Sequence, residues 1–207
     1  MIEKTLELGS RELLVVGPIY DKVEKLPLLS KLVQDKLVIF LGDACYPYKS
    51  IPEAVARLNE LRSFIEENKA LYLLGDKDLV FMKKICNSNV DTYDWLSSQR
   101  KALRFSFNNG SNVLLIHGGI LPRHSTWNQA QTDTESAFVS QNKETGKNWH
   151  EEYDGRFGYA ISSHTYPVSS EVKTFNHSAS LDTNCYETDK LAVQTFGPSG
   201  LGETLYI

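Results

Sequence analysis

Short apolar runs that stop at a glycine or a histidine recur along the chain. They cover residues 13–16, 37–41, 70–74 and 113–116. Runs of four or five apolar residues bounded by turn residues are typical of buried strands. The pattern therefore predicts four strands, each followed by a turn.

One long helical pattern lies between the second and third of these runs. Apolar residues recur at three- and four-residue spacing from Ile51 to Ile65, so they line one face of a helix. Pro52 stands in its first turn, where a missing N–H is harmless. Strand, helix and strand in succession predict parallel strands covered by helices.

The second half of the chain has strand patterns with few helical ones between them. Residues 103–107 alternate apolar and polar side chains, and residues 158–162, 191–196 and 204–207 are also strand-like. Together the two halves predict an α/β fold, a sandwich of two mixed β-sheets flanked by α-helices.

Length and composition favour a single domain over residues 1–207. The chain is 41% hydrophobic and 23% charged, which allows one well-packed core, and no linker or repeat divides it. The formal net charge is -4, without the concentrated basic stripe that would neutralise nucleic-acid phosphates. Nucleic-acid binding is therefore unsupported, and the sequence leaves the oligomeric state open.

The sequence has no feature of a secreted or membrane protein. Charges stand where a signal peptide needs an apolar core, and no later apolar run approaches about 18 residues. Cys45, Cys86 and Cys185 fit neither a disulfide framework nor a cysteine zinc site. We expect a soluble, cytoplasmic protein with reduced thiols and no membrane partner.

Candidate chemistry collects directly after the apolar runs. Asp43 and Asp76 each follow a glycine that ends a run, and His117 ends a third. In α/β sheets, ligands gather at the carboxyl ends of strands, where loops leave the buried layer. One Gly-Asp pair alone is more simply a turn or a helix cap. Its repetition favours a shared site.

Five segments resemble, in order and spacing, the motifs of the calcineurin-like metallophosphoesterases. Members carry Gly-Asp-x-His-Gly, Gly-Asp-x-x-Asp-Arg-Gly, Gly-Asn-His-Glu/Asp, His-Gly-Gly and Gly-His-Thr, each at a strand end. The chain is similar to the bacterial and phage type of protein serine/threonine phosphatase and symmetrical diadenosine tetraphosphatase, and the resemblance implies their two-sheet sandwich. The matching segments are residues 17–21, 42–48, 75–78, 117–119 and 163–165, with weaker matches at 149–159 and 181–185.

The resemblance implies one of the two metal positions that the family uses. Family members hold two divalent ions about 3.5 Å apart, which activate a water and bind a phosphate. An Asp and a His that hold the first ion are replaced by Pro18 and Tyr20, which are poor substitutes. We therefore expect one Mn, Zn or Fe ion rather than two. Its ligands would be Asp43, Asp76, His117 and His164.

Two further catalytic positions of the family differ in this chain. Lys77 stands where a proton-donating His is expected, and Pro47 where an Arg would grip the phosphate. An unperturbed lysine, with a pKa of about 10.4, is a slow proton donor at neutral pH, although burial can lower that pKa. Arg156 is a candidate for phosphate binding, with a surface ion pair as the equal alternative.

The aromatic and remaining imidazole side chains have simpler expected roles. Tyr20, Tyr46 and Tyr48 should fill the vacated first-metal position, because an unfilled cavity costs stability. We expect the other histidines to lie on the surface or to form hydrogen bonds; they are His124, His150 and His177. His150 could instead face the cleft.

Two functions stay open, and with them the question of whether the chain is an enzyme. The first is a degenerate phosphoesterase-fold protein that binds a protein or nucleotide ligand through the old cleft, without efficient phosphatase activity. Simultaneous loss of metal ligands, proton donor and phosphate clamp favours it. The alternative is an active metal-dependent phosphoesterase, acting on phosphoproteins or dinucleoside polyphosphates with one metal or with relocated ligands. The candidate relocated ligands are Asp21, Cys45 and Asp78.

Overall fold

The frame of the molecule is a pair of mixed β-sheets. The structure is a computed structural model that describes residues 5–121, 123–126, 129, 141–143, 145–164 and 169–207. Numbered along the chain, its strands are β1 Leu6–Gly9, β2 Leu13–Val16, β3 Leu37–Phe40, β4 Leu71–Tyr72, β5 Ala102–Phe107, β6 Asn112–Ile116, β7 Tyr159–Ser162, β8 Lys173–Thr174, β9 Ser178–Ser180, β10 Ala192–Gly197 and β11 Gly200–Tyr206.

Within those ranges, one sheet has six strands and the other has five. The six-stranded sheet has the order β1-β5-β6-β7-β9-β8, and the five-stranded sheet has the order β11-β10-β2-β3-β4. Strands β2, β3 and β4 run parallel, while β10 joins β2 antiparallel. In the other sheet β6, β7 and β9 run parallel, and β5 joins β6 antiparallel. Both sheets are therefore mixed.

Short helices and one long one accompany the sheets. They are α1 Leu26–Leu29, α2 Ile51–Asn68, α3 Asp76–Ile85, α4 Val90–Ser97, α5 Trp149–Glu152 and α6 Cys185–Thr188. The predicted helix is α2, which begins where the Ser50 hydroxyl accepts a hydrogen bond from the Glu53 amide and ends at Lys69 in a left-handed conformation. Among the described residues, no helix is both long enough and apolar enough to span a membrane.

Apolar side chains fill the space between the sheets and the outer faces of both. Val15 and Ile39 of the five-stranded sheet meet Phe105 and Leu115 of the six-stranded one. Alternate residues of β2 and β3 point the other way, toward buried side chains of α2 and α3. Trp149 of α5 packs with residues of β6 and β7 on the outer face of the six-stranded sheet. The predicted sandwich of two mixed sheets with flanking helices is confirmed.

Two local features differ from the sequence expectation. The run 70–74 contains only the two-residue strand β4; beyond it, Leu73 forms an isolated parallel bridge with Arg100. Helix α3 begins at Asp76 itself, with Gly75 as its N-cap. The second Gly-Asp pair is thus a helix start, and this fixes the Asp76 carboxylate just beyond the carboxyl end of β4.

Candidate metal centre

Four side chains from both sheets converge at the carboxyl ends of the strands. Asp43, Asp76, His117 and His164 each offer one ligand atom, and these atoms all lie within 4.8 Å of one another. We call these four residues the ligand group. They follow β3, β4, β6 and β7, so the group lies where the two sheets meet. Thr165, the last residue of the fifth motif, lies outside the described residues.

The spacing of the ligand group suits a metal ion. Asp76 Oδ1 lies 3.1 Å from His117 Nε2 and 3.2 Å from His164 Nε2, and His117 Nε2 lies 3.4 Å from Asp43 Oδ2. Ligand atoms about 2.0–2.2 Å from a tetrahedral ion lie roughly 3.3–3.6 Å from one another. Imidazole and carboxylate are ligands that Zn, Mn and Fe accept. This buried group of Asp and His can therefore hold a metal.

The orientation of His117 is set by groups behind it. Its Nδ1 lies 2.6 Å from the Leu41 carbonyl, to which it donates, so Nε2 faces the carboxylates. The Ser163 hydroxyl lies 2.8 Å from the same nitrogen and donates to the His117 carbonyl. Metal-binding histidines ordinarily have such a partner on the other ring nitrogen.

Two glycines let the ligand-bearing turns touch. A Cβ on Gly42 would lie 2.7 Å from the Gly75 amide nitrogen and 2.9 Å from His117 Nδ1, and φ at Gly42 is +96°. A Cβ on Gly75 would lie 2.0 Å from Asp43 Oδ1. Both Gly-Asp pairs are explained by this close approach, since no larger residue fits.

Asp78 braces the same two turns and does not join the ligand group. Its Oδ2 accepts hydrogen bonds from the amides of Gly75 at 2.9 Å and Asp43 at 3.1 Å, and from the Tyr72 hydroxyl at 2.6 Å. The Ala44 amide donates in turn to that hydroxyl, at 3.0 Å. The side chain of Asp78 is fully buried. Asp78 therefore supports the ligands from behind.

The other two suggested relocated ligands also have different surroundings. Asp21 forms an ion pair with Arg57 at 3.3 Å. Burial, with the neighbouring charge of Asp78, raises the pKa of the Cys45 thiol, and a protonated thiol is a poor metal ligand. Among the described residues, neither side chain belongs to the group that can hold an ion.

Lys77 is a fixed cation beside the ligand group. Its Nζ lies 2.8 Å from Asp76 Oδ2, and its amide donates to Asp43 Oδ1 at 2.9 Å. Burial pulls the pKa of Lys77 down, but the hydrogen bond to Asp76 and its charge outweigh that effect and raise the pKa. Lys77 is thus poorly suited to donate a proton at neutral pH.

Negative charge is concentrated at this point of the molecule. Burial, and then the charges of Asp78 and Asp76, raise the pKa of Asp43. Burial would also raise the pKa of Asp76, but its hydrogen bonds with His117 and His164 lower it. The carboxylates of Asp43 and Asp76, with Asp78 behind them, favour a cation at the ligand group.

Beside the ligand group lie the two residues that the resemblance sets in place of the first-metal ligands. Pro18 and Tyr20 are buried, and the Tyr20 hydroxyl donates to Asp182 Oδ1 at 3.1 Å. Burial, and then the charges of Asp182 and Asp43, raise the pKa of Tyr20, so it stays a neutral phenol. Tyr48 lies elsewhere and packs against Phe81.

Three tyrosine rings form a cluster that we call the tyrosine wall: Tyr20, Tyr46 and Tyr186. Their centroids lie 6.4 Å apart for Tyr20 and Tyr46, 5.1 Å for Tyr20 and Tyr186, and 5.5 Å for Tyr46 and Tyr186. All three contacts are edge to face, which is a favourable arrangement for aromatic rings. The wall therefore packs as one unit.

Two further polar side chains lie near the ligand group: Asp182, which had no expected role, and His150, for which hydrogen bonds were expected. Asp182 is buried and, besides Tyr20, accepts from the Asn184 amide at 2.9 Å. His150 donates through Nε2 to the His164 carbonyl at 3.0 Å and accepts at Nδ1 from the Ser178 hydroxyl at 2.8 Å. Burial lowers the pKa of His150 to about 4. It is a neutral residue that positions the His164 loop and does not face the cleft as a titrating acid.

Arg156, His124 and His177 are outside the ligand group. Arg156 Nε lies 2.7 Å from Asp154 Oδ1, and its Nη1 donates to the His124 carbonyl at 2.9 Å. His124 is buried and His177 is exposed. Of the two roles expected for Arg156, phosphate binding and a surface ion pair, the contact with Asp154 corresponds to the ion pair.

The chain is similar to known proteins in structure, whereas comparisons of its sequence found no match. No family model matches the chain, and no curated protein matches it. The crystal structure of a proposed diadenosine tetraphosphatase matches with a TM-score of 0.70 at 17% identity, over 98% of this chain and 97% of that one. The cold-active protein-tyrosine phosphatase of a psychrophilic Shewanella species matches with a TM-score of 0.62 at 13% identity. The match covers 100% of this chain and 83% of the phosphatase chain. At these identities the likeness establishes the fold alone, which this chain shares with both phosphatase structures.

Proposed function

We propose that this chain, on a calcineurin-like phosphoesterase fold, holds one divalent transition-metal ion and binds a phosphate-bearing nucleotide or protein ligand without efficient hydrolysis. One observation carries the proposal. The ligand group is complete and braced from behind, whereas the adjoining position is filled by the buried ring of Tyr20. The ion would be Mn, Zn or Fe.

The ligand group supports the metal part of the proposal. Two carboxylates and two imidazoles would hold the ion, with His117 oriented by the Leu41 carbonyl. When bound, such an ion supplies a Lewis acid for phosphoryl oxygens. Lys77 adds a second positive charge within reach of the same place, as its ion pair with Asp76 indicates. A phosphate would thus meet two cationic groups.

The filled position supports the inefficient-hydrolysis part. Tyr20 and Pro18 offer no ligand for a second ion, and Tyr20 keeps its proton. Lys77 is held as a cation, so it lacks the near-neutral pKa that favours proton transfer to a leaving group. Water activation and leaving-group protonation would both be weakened, each a large contribution to the rate.

A combined binding and turnover experiment tests the proposal. Isothermal titration of the Mn-loaded protein with inorganic phosphate should give binding, and His117→Ala should abolish it. His177→Ala is the matched control, because this exposed histidine lies outside the ligand group. Hydrolysis of p-nitrophenyl phosphate and of diadenosine tetraphosphate should stay near background. Failure of phosphate to bind the metal-loaded protein would contradict the proposal.

The second candidate is a working phosphoesterase that uses one metal. The ion pair of Lys77 with Asp76 favours it, because a lysine beside a metal can stabilise charge on a phosphate. This alternative predicts Mn-dependent hydrolysis that disappears in His117→Ala and persists in His177→Ala. Turnover with that pattern would replace the non-hydrolytic proposal, and its absence would exclude the alternative.

A further inference from the structure

The tyrosine wall is graded from buried to exposed. Tyr20 is 6% exposed, whereas Tyr46 is 37% exposed and is among the largest exposed apolar side chains of the described residues. Filling the vacated metal position requires only the buried ring. Packing therefore explains the buried ring of Tyr20, but it does not explain why part of the Tyr46 ring is exposed.

Lys77 connects the wall to the ligand group. Its Nζ lies 2.8 Å from Asp76 Oδ2 and 6.0 Å from the centroid of the Tyr46 ring. At the other end of the wall, the Tyr20 hydroxyl donates to Asp182. An aromatic surface and a candidate phosphate site thus share one cation, and a ligand that spans a few ångströms can contact both.

The contacts of Tyr46 leave room for stacking. The Tyr46 ring contacts the rings of Tyr20 and Tyr186, at interplanar angles of 65° and 83°. Among the ring contacts of the described residues, none is a parallel stack on Tyr46. Lys77 Nζ lies over this ring, so a planar group would lie against the part of it that stays exposed, as nucleobases do on aromatic side chains.

We propose that the tyrosine wall binds the planar aromatic group of a small phosphate ester whose phosphate lies at Lys77 and the ligand group. This inference rests on the proposed function, since it assumes that the centre binds phosphate. The shared chemistry is an aromatic ring attached to a phosphate, either as a nucleobase through a ribose or as a phenyl ring directly. Tyr46 would be the residue that selects for the ring.

A panel of four phosphates tests the wall. Affinities of the Mn-loaded protein for inorganic phosphate, ribose 5-phosphate, AMP and phenyl phosphate would be measured by isothermal titration. At least one aromatic ester should bind roughly tenfold or more tighter than ribose 5-phosphate, the gain that one stacked ring provides. A preference for AMP would identify a base, and a preference for phenyl phosphate would identify a phenyl ring.

Substitutions at Tyr46 separate stacking from folding. Tyr46→Leu should reduce the aromatic preference to less than about twofold while leaving metal content and phosphate affinity unchanged, and Tyr46→Phe should restore it. Tyr206→Leu is the matched control, because Tyr206 is an exposed tyrosine on β11.

The outcomes distinguish the two proposals. If inorganic phosphate binds but neither aromatic ester gains over ribose 5-phosphate, the wall proposal is overturned and the proposed function stands. A preference that survives Tyr46→Leu, or that Tyr46→Phe fails to restore, overturns it as well. If the metal-loaded protein binds no phosphate at all, the proposed function fails, and the wall proposal fails with it.

Discussion

The ligand group and the tyrosine wall lie side by side, yet they are built in opposite ways. Around the ligand group, polar atoms point at one another and at a second layer of hydrogen bonds, such as those from Asp78 to the turns. In the tyrosine wall, ring edges meet ring faces, and the buried Tyr20 hydroxyl donates a hydrogen bond to Asp182. One side has the side chains that can hold an ion, and the other is built of aromatic rings.

The difference fits the proposal that aromatic packing takes the place of one half of a two-metal cleft. Buried carboxylates around an empty point would repel one another, whereas a neutral ring removes both the cavity and the charge. Tyr20 does both, because its hydroxyl also satisfies a buried carboxylate. The predictions below test whether the two sides are independent, from the largest expected effect to the smallest.

The largest effect among these predictions is expected at Gly42. Gly42→Ala adds a Cβ against Gly75 and His117 at a positive φ, so it should destabilise the protein by about 3–5 kcal/mol and prevent metal binding. Gly110→Ala is the matched control, since φ is +82° there and no atom lies within 4 Å of the added Cβ. It should cost only about 1–2 kcal/mol. Urea unfolding measures both, and equal losses would contradict the crowding of the two turns.

Asp78 should matter for metal affinity although it is no ligand. Asp78→Asn weakens the acceptor that holds the amides of Gly75 and Asp43, so Mn affinity should fall about 10–100-fold. Asp21→Asn, which breaks an ion pair outside the ligand group, should leave that affinity unchanged. Titration calorimetry measures both variants. Unchanged affinity in Asp78→Asn would show that the bracing is irrelevant.

Stability should fall in mild acid because of His150. Its pKa is about 4 when folded and about 6.5 when unfolded, so between these values the unfolded chain binds a proton that the folded chain does not. The contribution is therefore present above pH 6.5 and is lost as pH falls toward 4. Between pH 7 and pH 5 the wild type should lose about 2 kcal/mol more than His150→Asn does. Parallel pH slopes in urea unfolding would refute this role.

The smallest effect is expected on the wall. Tyr20→Phe removes the donor to Asp182, which keeps the Asn184 amide, so the loss should be about 1 kcal/mol. Tyr46→Phe, at an exposed ring, should change stability by less than about 0.5 kcal/mol. Neither should alter metal binding. A drop in metal content for Tyr20→Phe would mean that the two sides are coupled.

Local periodicity was sufficient to predict most of the frame. Four apolar runs became β2, β3, β4 and β6, and the three- and four-residue spacing became α2. Asp43, Asp76 and His117 could be singled out because each follows such a run, at the position where strand ends meet. His164, and the idea that the four form one ligand set, came from the resemblance to the metallophosphoesterases. Their convergence is a consequence of parallel pairing, which the order of elements predicts.

The supporting residues could not be found in this way. Asp182 meets Tyr20 across 162 positions of the chain, and no local pattern reports such a contact. Asp78 looked like a spare ligand, since sequence cannot distinguish a carboxylate that faces an ion from one that faces backbone amides. His150 becomes a buried support only when β7 and β9 bring Ser162 and Ser178 beside it.

Metal stoichiometry tests the central claim most directly. Chelated protein would be dialysed against Mn and its metal content measured by mass spectrometry, for the wild type, His117→Ala and His177→Ala. We expect one ion per chain in the wild type and in His177→Ala, and none in His117→Ala. Two ions per chain, none in the wild type, or one that survives His117→Ala would contradict the claim that the ligand group is a complete site beside a filled one.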